Sequence, residues 1–308
     1  MNNLLSLFQC ILFGEFGLFT LTPKYLFLIL FPVLLLLEFL SRLLPVLPFM
    51  GKNWIRANRL FYCITGLGCT TVALASLSSL KNQDVKRRIT LILILLIPCS
   101  AQLTMVTAFA AMVTLRVFLV FLLLFFIFSA LIYQVICRFC PLSDRMSFPV
   151  SEQAAFHLRS AAVSSVKEAF RSVCETAPAF CAGSVFISIA AFFGLFHQII
   201  SLLGPATESF FGLPEEATEL LVLNLLKRDF GAASLLTFAR QGVFDGTQLI
   251  IVVLMMLFSA PCFNSTILLI KQERLPAACL IWLGSLLLSL LIGKTVSEVF
   301  FICLFQFF

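Results

Sequence analysis

Long apolar runs separated by short clusters of charge set the pattern of this chain. Tyr25–Leu47, Ile89–Leu115, Val117–Val135, Phe180–Leu203, Leu249–Ile270 and Pro276–Phe301 each approach or exceed the roughly 20 mostly apolar residues that a helix needs to cross a bilayer. Asn3–Thr20 is apolar but short, and Gly14, Glu15 and Gly17 interrupt it. Gly51–Arg59 reads as a basic loop, and Gly204–Glu216 as an acidic one. Arg138–Glu175 is the long polar stretch. Within it Val163, Val166, Phe170 and Val173 recur at helical spacing opposite Arg159, Lys167 and Arg171, which predicts an amphipathic interfacial helix.

Two further segments are poor lipid-facing helices. Ala57–Leu80 carries Gly66, Gly68, Cys69, Thr70, Thr71 and several serines, while Glu219–Phe238 carries Lys227, Arg228 and Asp229 in its middle. Each is followed, about 30 residues on, by an apolar span broken at a Pro-Cys pair: Pro98-Cys99 and Pro261-Cys262. Interrupted helices at matching places in two halves point to a transporter site near the membrane midplane. If neither odd segment crosses fully, Lys52–Arg59, Lys81–Arg88, Arg138–Arg171 and Lys271–Arg274 share one side, and Glu208, Glu215 and Glu216 take the other. That distribution satisfies the positive-inside rule and makes the two copies inverted.

The prediction is therefore an all-α integral membrane protein of about eight membrane segments, two of them interrupted gate helices in a pseudo-inverted repeat. Residues 1–137 form the first membrane half with gate 1, residues 138–175 a cytosolic amphipathic linker, and residues 176–308 the second half with gate 2.

Composition strengthens the membrane assignment. Apolar residues are 61% of the chain and charged residues 12%, against about one quarter charged in soluble domains. The net charge of +6 lies in loops between spans, so it marks orientation rather than nucleic-acid binding. Most of the 11 cysteines fall inside apolar runs, where Cys behaves as a small hydrophobe, and they do not make a secreted disulfide framework.

Chemistry concentrates at the breaks. A proline lacks an N–H and frees a carbonyl one turn back, which inside a bilayer must find another partner. Freed carbonyls and nearby thiol, hydroxyl and amide groups can replace the water shell of a cation. Cys69, Cys99 and Cys262 are the softest donors, and soft donors favour transition metals over magnesium and calcium. Ser100 and Asn264 add oxygen, and Gly66 and Gly68 give access to the backbone. A lone cysteine in an apolar helix is more often a packing residue; it is the matched recurrence that raises the metal alternative. Lys227, Arg228 and Asp229 are costly at membrane depth and become gate candidates, the alternative being that they snorkel to an interface. Cys137 and Cys140 form a C-x-x-C without a second pair, and His157 and His197 are isolated. Gly293-Lys294-Thr295 lacks the rest of a phosphate-binding loop, and no hydrolase signature occurs, so the residues favour a transporter over an enzyme.

Four stretches, in order, resemble the membrane portion of the ferrous iron transport protein B family: Gly14-Glu15-Phe16-Gly17-Leu18-Phe19-Thr20, Gly66-Leu67-Gly68-Cys69, Ile97-Pro98-Cys99-Ser100-Ala101-Gln102-Leu103, and Leu226-Lys227-Arg228-Asp229-Phe230-Gly231-Ala232-Ala233, the last followed by Pro261-Cys262. The resemblance implies iron(II), Fe2+, passing a bacterial inner membrane through two gates, with Cys69, Cys99 and Cys262 on the path. It also implies a GTPase, which this chain does not carry and which is either a separate partner chain or absent. No permanently bound cofactor is expected, the lipid bilayer is the main partner, and homo-oligomerisation is compatible with the family. The rivals are a transporter of another divalent metal or a nucleoside on the same gate architecture, and a membrane scaffold that transports nothing.

Overall fold

Asn82 starts the first long helix. Its side-chain oxygen accepts the backbone N–H of Asp84 at 3.1 Å, an N-cap that closes the first turn. The computed structural model describes residues 65–77, 82–139, 192–226, 228–273 and 275–306, with scattered positions at 31, 32 and 35 and between 163 and 189. Among these residues there is no strand. The helices are α1 (Thr70–Ser76), α2 (Gln83–Leu95), α3 (Ser100–Met112), α4 (Leu115–Phe139), α5 (Leu195–Phe211), α6 (Glu216–Leu226), α7 (Arg228–Arg240), α8 (Gly246–Leu257), α9 (Phe263–Gln272) and α10 (Leu275–Gln306). Asn3–Thr20, Tyr25–Leu47 and Gly51–Arg59, predicted as membrane segments and a loop, lie outside the described residues apart from single positions, as do His157 and Cys140.

Among the described residues three stretches are long and apolar enough to cross a membrane: Gln83–Met112, Leu115–Phe139 and Leu275–Phe301. In α4 only 11% of the most apolar window is buried in protein. Leu115, Leu119, Leu123 and Phe126 stand exposed on it, a surface that suits hydrocarbon and not water. The predicted breaks are present. Ile97–Cys99 is non-helical between α2 and α3, and Ala260–Cys262 is non-helical between α8 and α9.

Two expectations need correction. The basic run Lys81–Arg88 is not all loop, because the Asn82 cap places Gln83 onward in α2. Lys86 and Arg88 are buried there, and Arg88 Nη2 donates to Cys137 Sγ at 2.9 Å. The acidic loop is also shorter than predicted. Helix α5 runs through Gly204 and Pro205 to Phe211, leaving only Gly212–Glu215 outside helix. Packing overrides the Gly-Pro signal: the Glu215 side chain fills the space where a Cβ at Gly204 would stand, 2.7 Å from Glu215 Cγ. Thr218 Oγ1 donates to Thr207 Oγ1 at 2.7 Å, tying α6 to α5. The chain also turns inside the predicted Phe180–Leu203 span, at Gly194, whose φ of 65° favours glycine.

The chain divides into two compact units, each drawing on both sequence halves: residues 1–93 with 137–193, and residues 94–136 with 194–308. In the first, Val72, Ala169 and Val173 form a buried cluster, with Phe31, Leu35, Cys69 and Ala177 packed on it. Along the predicted amphipathic stretch Ser165, Ala169 and Val173 are buried in protein, while Val163, Val166 and Phe170 stand exposed.

In the second unit α6 and α7 fold back on each other. A Cβ added at Gly231 of α7 would lie 2.9 Å from the Cα of Asn224 in α6 and 2.8 Å from Met256 Cε in α8. In one continuous helix, positions seven apart would stand about 10 Å from each other. The odd segment is thus a hairpin of two helices, each too short to span. An aromatic cluster backs α8, with Phe258 fully enclosed against Phe125 and Phe128 of α4 and Phe121 packed edge-on to Phe109. Gly231→Leu is expected to destabilise the protein by about 1–3 kcal/mol through overpacking. Gly284→Ala, on an open face of α10 with nothing within 4 Å, is expected to leave the melting temperature in detergent unchanged or slightly raised.

Candidate functional site

Helix α8 ends where its backbone partners run out. Phe258 N–H still reaches Leu254 O at 3.1 Å, but the next three carbonyls, Met255, Met256 and Leu257, precede a break in which Pro261 has no N–H to give. In hydrocarbon such carbonyls would be costly if left alone. Side chains take all three. Ser289 Oγ of α10 donates to Met255 O at 2.7 Å. Asn224 Nδ2 and Ser259 Oγ donate to Met256 O at 3.2 and 2.9 Å. Gln102 Nε2 of α3 donates to Leu257 O at 2.9 Å and to Met256 O at 3.3 Å.

Gln102 also serves the first break. Its Oε1 accepts the Cys99 backbone N–H at 3.1 Å, capping α3, and accepts Arg228 Nη1 at 2.8 Å. Both amide hydrogens and both oxygen lone pairs are therefore used, and one side chain 2% exposed joins both breaks to the α6–α7 hairpin. Arg228 is 5% exposed, and its Nη1 also points at Cys99 Sγ, 3.6 Å away. Asn224 is fully buried, and while its amide nitrogen donates twice, to Met256 O and to Ser259 Oγ at 2.7 Å, its Oδ1 has no partner.

Each candidate cysteine occupies the residue before a helix: Cys69 before α1, Cys99 before α3, Cys262 before α9. Their surroundings differ. Cys69 packs on the Val72 cluster of the first unit, preceded by a helical turn that holds buried Gly66 and half-buried Gly68. Cys99 is buried beside the Arg228 guanidinium. Cys262 is half-buried, with Sγ 3.4 Å from Ser265 Oγ, and two residues on, Asn264 Oδ1 is buried without a partner. Ser100 is exposed, and its carbonyl accepts Thr104 Oγ1 at 2.9 Å. Lys227 and the side chain of Asp229 lie outside the described residues. Of the predicted residues, the structure brings together Cys99 and Arg228. Among the described residues no three His, Cys, Asp or Glu side chains converge as a metal cage.

Sequence reasoning missed Asn224, Ser259 and Ser289, and noted Gln102 only in passing. The signals were an amide three residues after a Pro-Cys break and a lone amide in an apolar run four residues before Arg228. The freed carbonyls, expected as cation ligands, are instead occupied by protein donors at the second break.

Residues 173–274 match the family model described as Gate: Nucleoside recognition. This stretch is similar to Gate domains. It spans α5 to α9 and so holds the hairpin, Asn224, Arg228 and the whole second break. Gates of this kind occur in iron-permease and nucleoside-transporter architectures. No curated protein and no solved structure matches the chain. Its apolar helices make the chain a multi-pass membrane protein, and residues 173–274 of it are similar to a gate.

Gln102→Leu removes two donors and one acceptor from buried partners and is expected to cost about 1–3 kcal/mol or more. Gln248→Ala, which removes the exposed Gln248 Nε2 to Gly212 O bond, is expected to cost under about 1 kcal/mol. Thermal unfolding of the two variants in detergent checks the order.

Proposed function

We propose that the chain is the permease module of an iron(II) uptake system in a bacterial cytoplasmic membrane. The observation that carries this reading is the uncommitted donor pair at the second break. Among the described residues Cys262 Sγ makes only the weak contact to Ser265 Oγ and buried Asn264 Oδ1 has no hydrogen-bond partner, so a soft and a hard donor stand two residues apart at the start of α9. A cargo ion needs such donors to enter, and a small number of them to leave again. Cys99 would join the path once Arg228 moves away from it. The Gly66–Cys69 segment would act as the first gate, and the Gate match over the second supports the same architecture.

A second reading is favoured by one observation. Gln102, Asn224 and Arg228 form a buried cluster of amide and guanidinium groups, which suits the hydrogen-bonding edge of an uncharged organic solute such as a nucleoside better than a metal ion.

Uptake of radiolabelled iron(II), manganese(II) and uridine into proteoliposomes separates the two. Saturable iron(II) uptake is expected, falling about tenfold or more in Cys262→Ser and in Asn264→Leu, a loss of about 1.4 kcal/mol of cargo interaction. Uridine uptake with no iron movement would overturn the iron assignment, and movement of neither would leave the scaffold alternative.

A further inference from the structure

The donors at the first break are already filled, and what fills them is a cation. Arg228 Nη1 stands 2.8 Å from Gln102 Oε1 and 3.6 Å from Cys99 Sγ. An amide oxygen and a thiol sulfur around one positive group are the hard and soft donors a transition-metal ion would meet there. The guanidinium is 5% exposed, so it is a charge taken out of water and held by its partners.

We propose that Arg228 is a tethered cation that occupies the Cys99 and Gln102 donors, so that the gate is held shut by the protein's own charge and opens when the α6–α7 hairpin draws the guanidinium away. The α7 arm of the hairpin is 13 residues long, and the small residue Gly231 lets it approach α6 and α8 closely. This inference rests on reading the stretch as a gate, and it names the excluded ligand as a soft divalent cation.

The test uses the full chain in detergent, N-ethylmaleimide as the thiol reagent, Cd(II) as the soft-metal probe, and peptide mass spectrometry to place the adduct. Exposed Cys174 serves as the reference for reagent activity. In the unmodified protein Cys99 is expected to react slowly and Cd(II) to have no effect on it. Arg228→Met fills the same volume without charge, and is expected to speed alkylation of Cys99 about tenfold or more and to make it slow again with Cd(II). Arg228→Lys retains a cation and is expected to stay within about twofold of the unmodified rate. The proposal is overturned if Arg228→Met leaves Cys99 slow, if Met and Lys act alike, or if Cd(II) gives the Met variant no protection. Should Arg228→Met not fold, Arg228→Gln makes the same comparison. Failure of both neutral variants to fold would show a structural post and would equally overturn the proposal. Iron(II) uptake measured in parallel keeps the two ideas apart: the expected Cys99 pattern without iron movement sinks the cargo assignment and leaves the tethered cation standing.

Discussion

A carbonyl freed inside a bilayer must find a donor, and much of the second unit is arranged around that constraint. Pro261 ends the backbone ladder of α8, and three carbonyls then depend on side chains from α3, α6 and α10 and from the break itself. Water is not there to replace a lost partner, so each amide or hydroxyl matters more than it would on a soluble surface. Helices that would otherwise meet only through lipid-like contacts gain a directional reason to sit where they do.

Gln102 concentrates that dependence. It ends one broken helix, begins another and holds the buried arginine, so any displacement of the α6–α7 hairpin is felt at both breaks. A fully used amide has no slack: moving one partner strands another, and this makes a two-state element more natural than gradual yielding. Asn224 differs from it in one respect. Its nitrogen is fully engaged while its Oδ1 is enclosed without a donor, so the hairpin retains one unmet acceptor close to the break.

Much of the fold was legible in the sequence because two strong signals dominate it. Runs near 20 apolar residues identify α4 and α10, and Pro98 and Pro261 locate both interruptions, since a missing N–H acts locally. Sequence was weaker where tertiary contact decides. Gly204-Pro205 reads as a loop, yet Glu215 and Thr218 pack it into α5. Lys86 and Arg88 read as solvated charge, yet they are buried in α2. The site shows the same limit. Cysteines announce themselves through soft chemistry, whereas Gln102 and Asn224 are ordinary residues whose importance comes from which carbonyls they face, more than 150 and 30 positions away respectively. No period or motif encodes that pairing.

The most direct test of this account is a double-mutant cycle between Gln102→Leu and Pro261→Ala, read as unfolding free energy in detergent. Alanine at 261 restores the N–H that can serve Leu257 O from within the chain. The loss caused by Gln102→Leu is then expected to shrink by about 1 kcal/mol or more in that background, a coupling that neighbouring hydrogen-bond partners show and independent sites do not. An equal loss in both backgrounds would mean that Gln102 is not there for the broken helix, and the account of the gate built on it would fall.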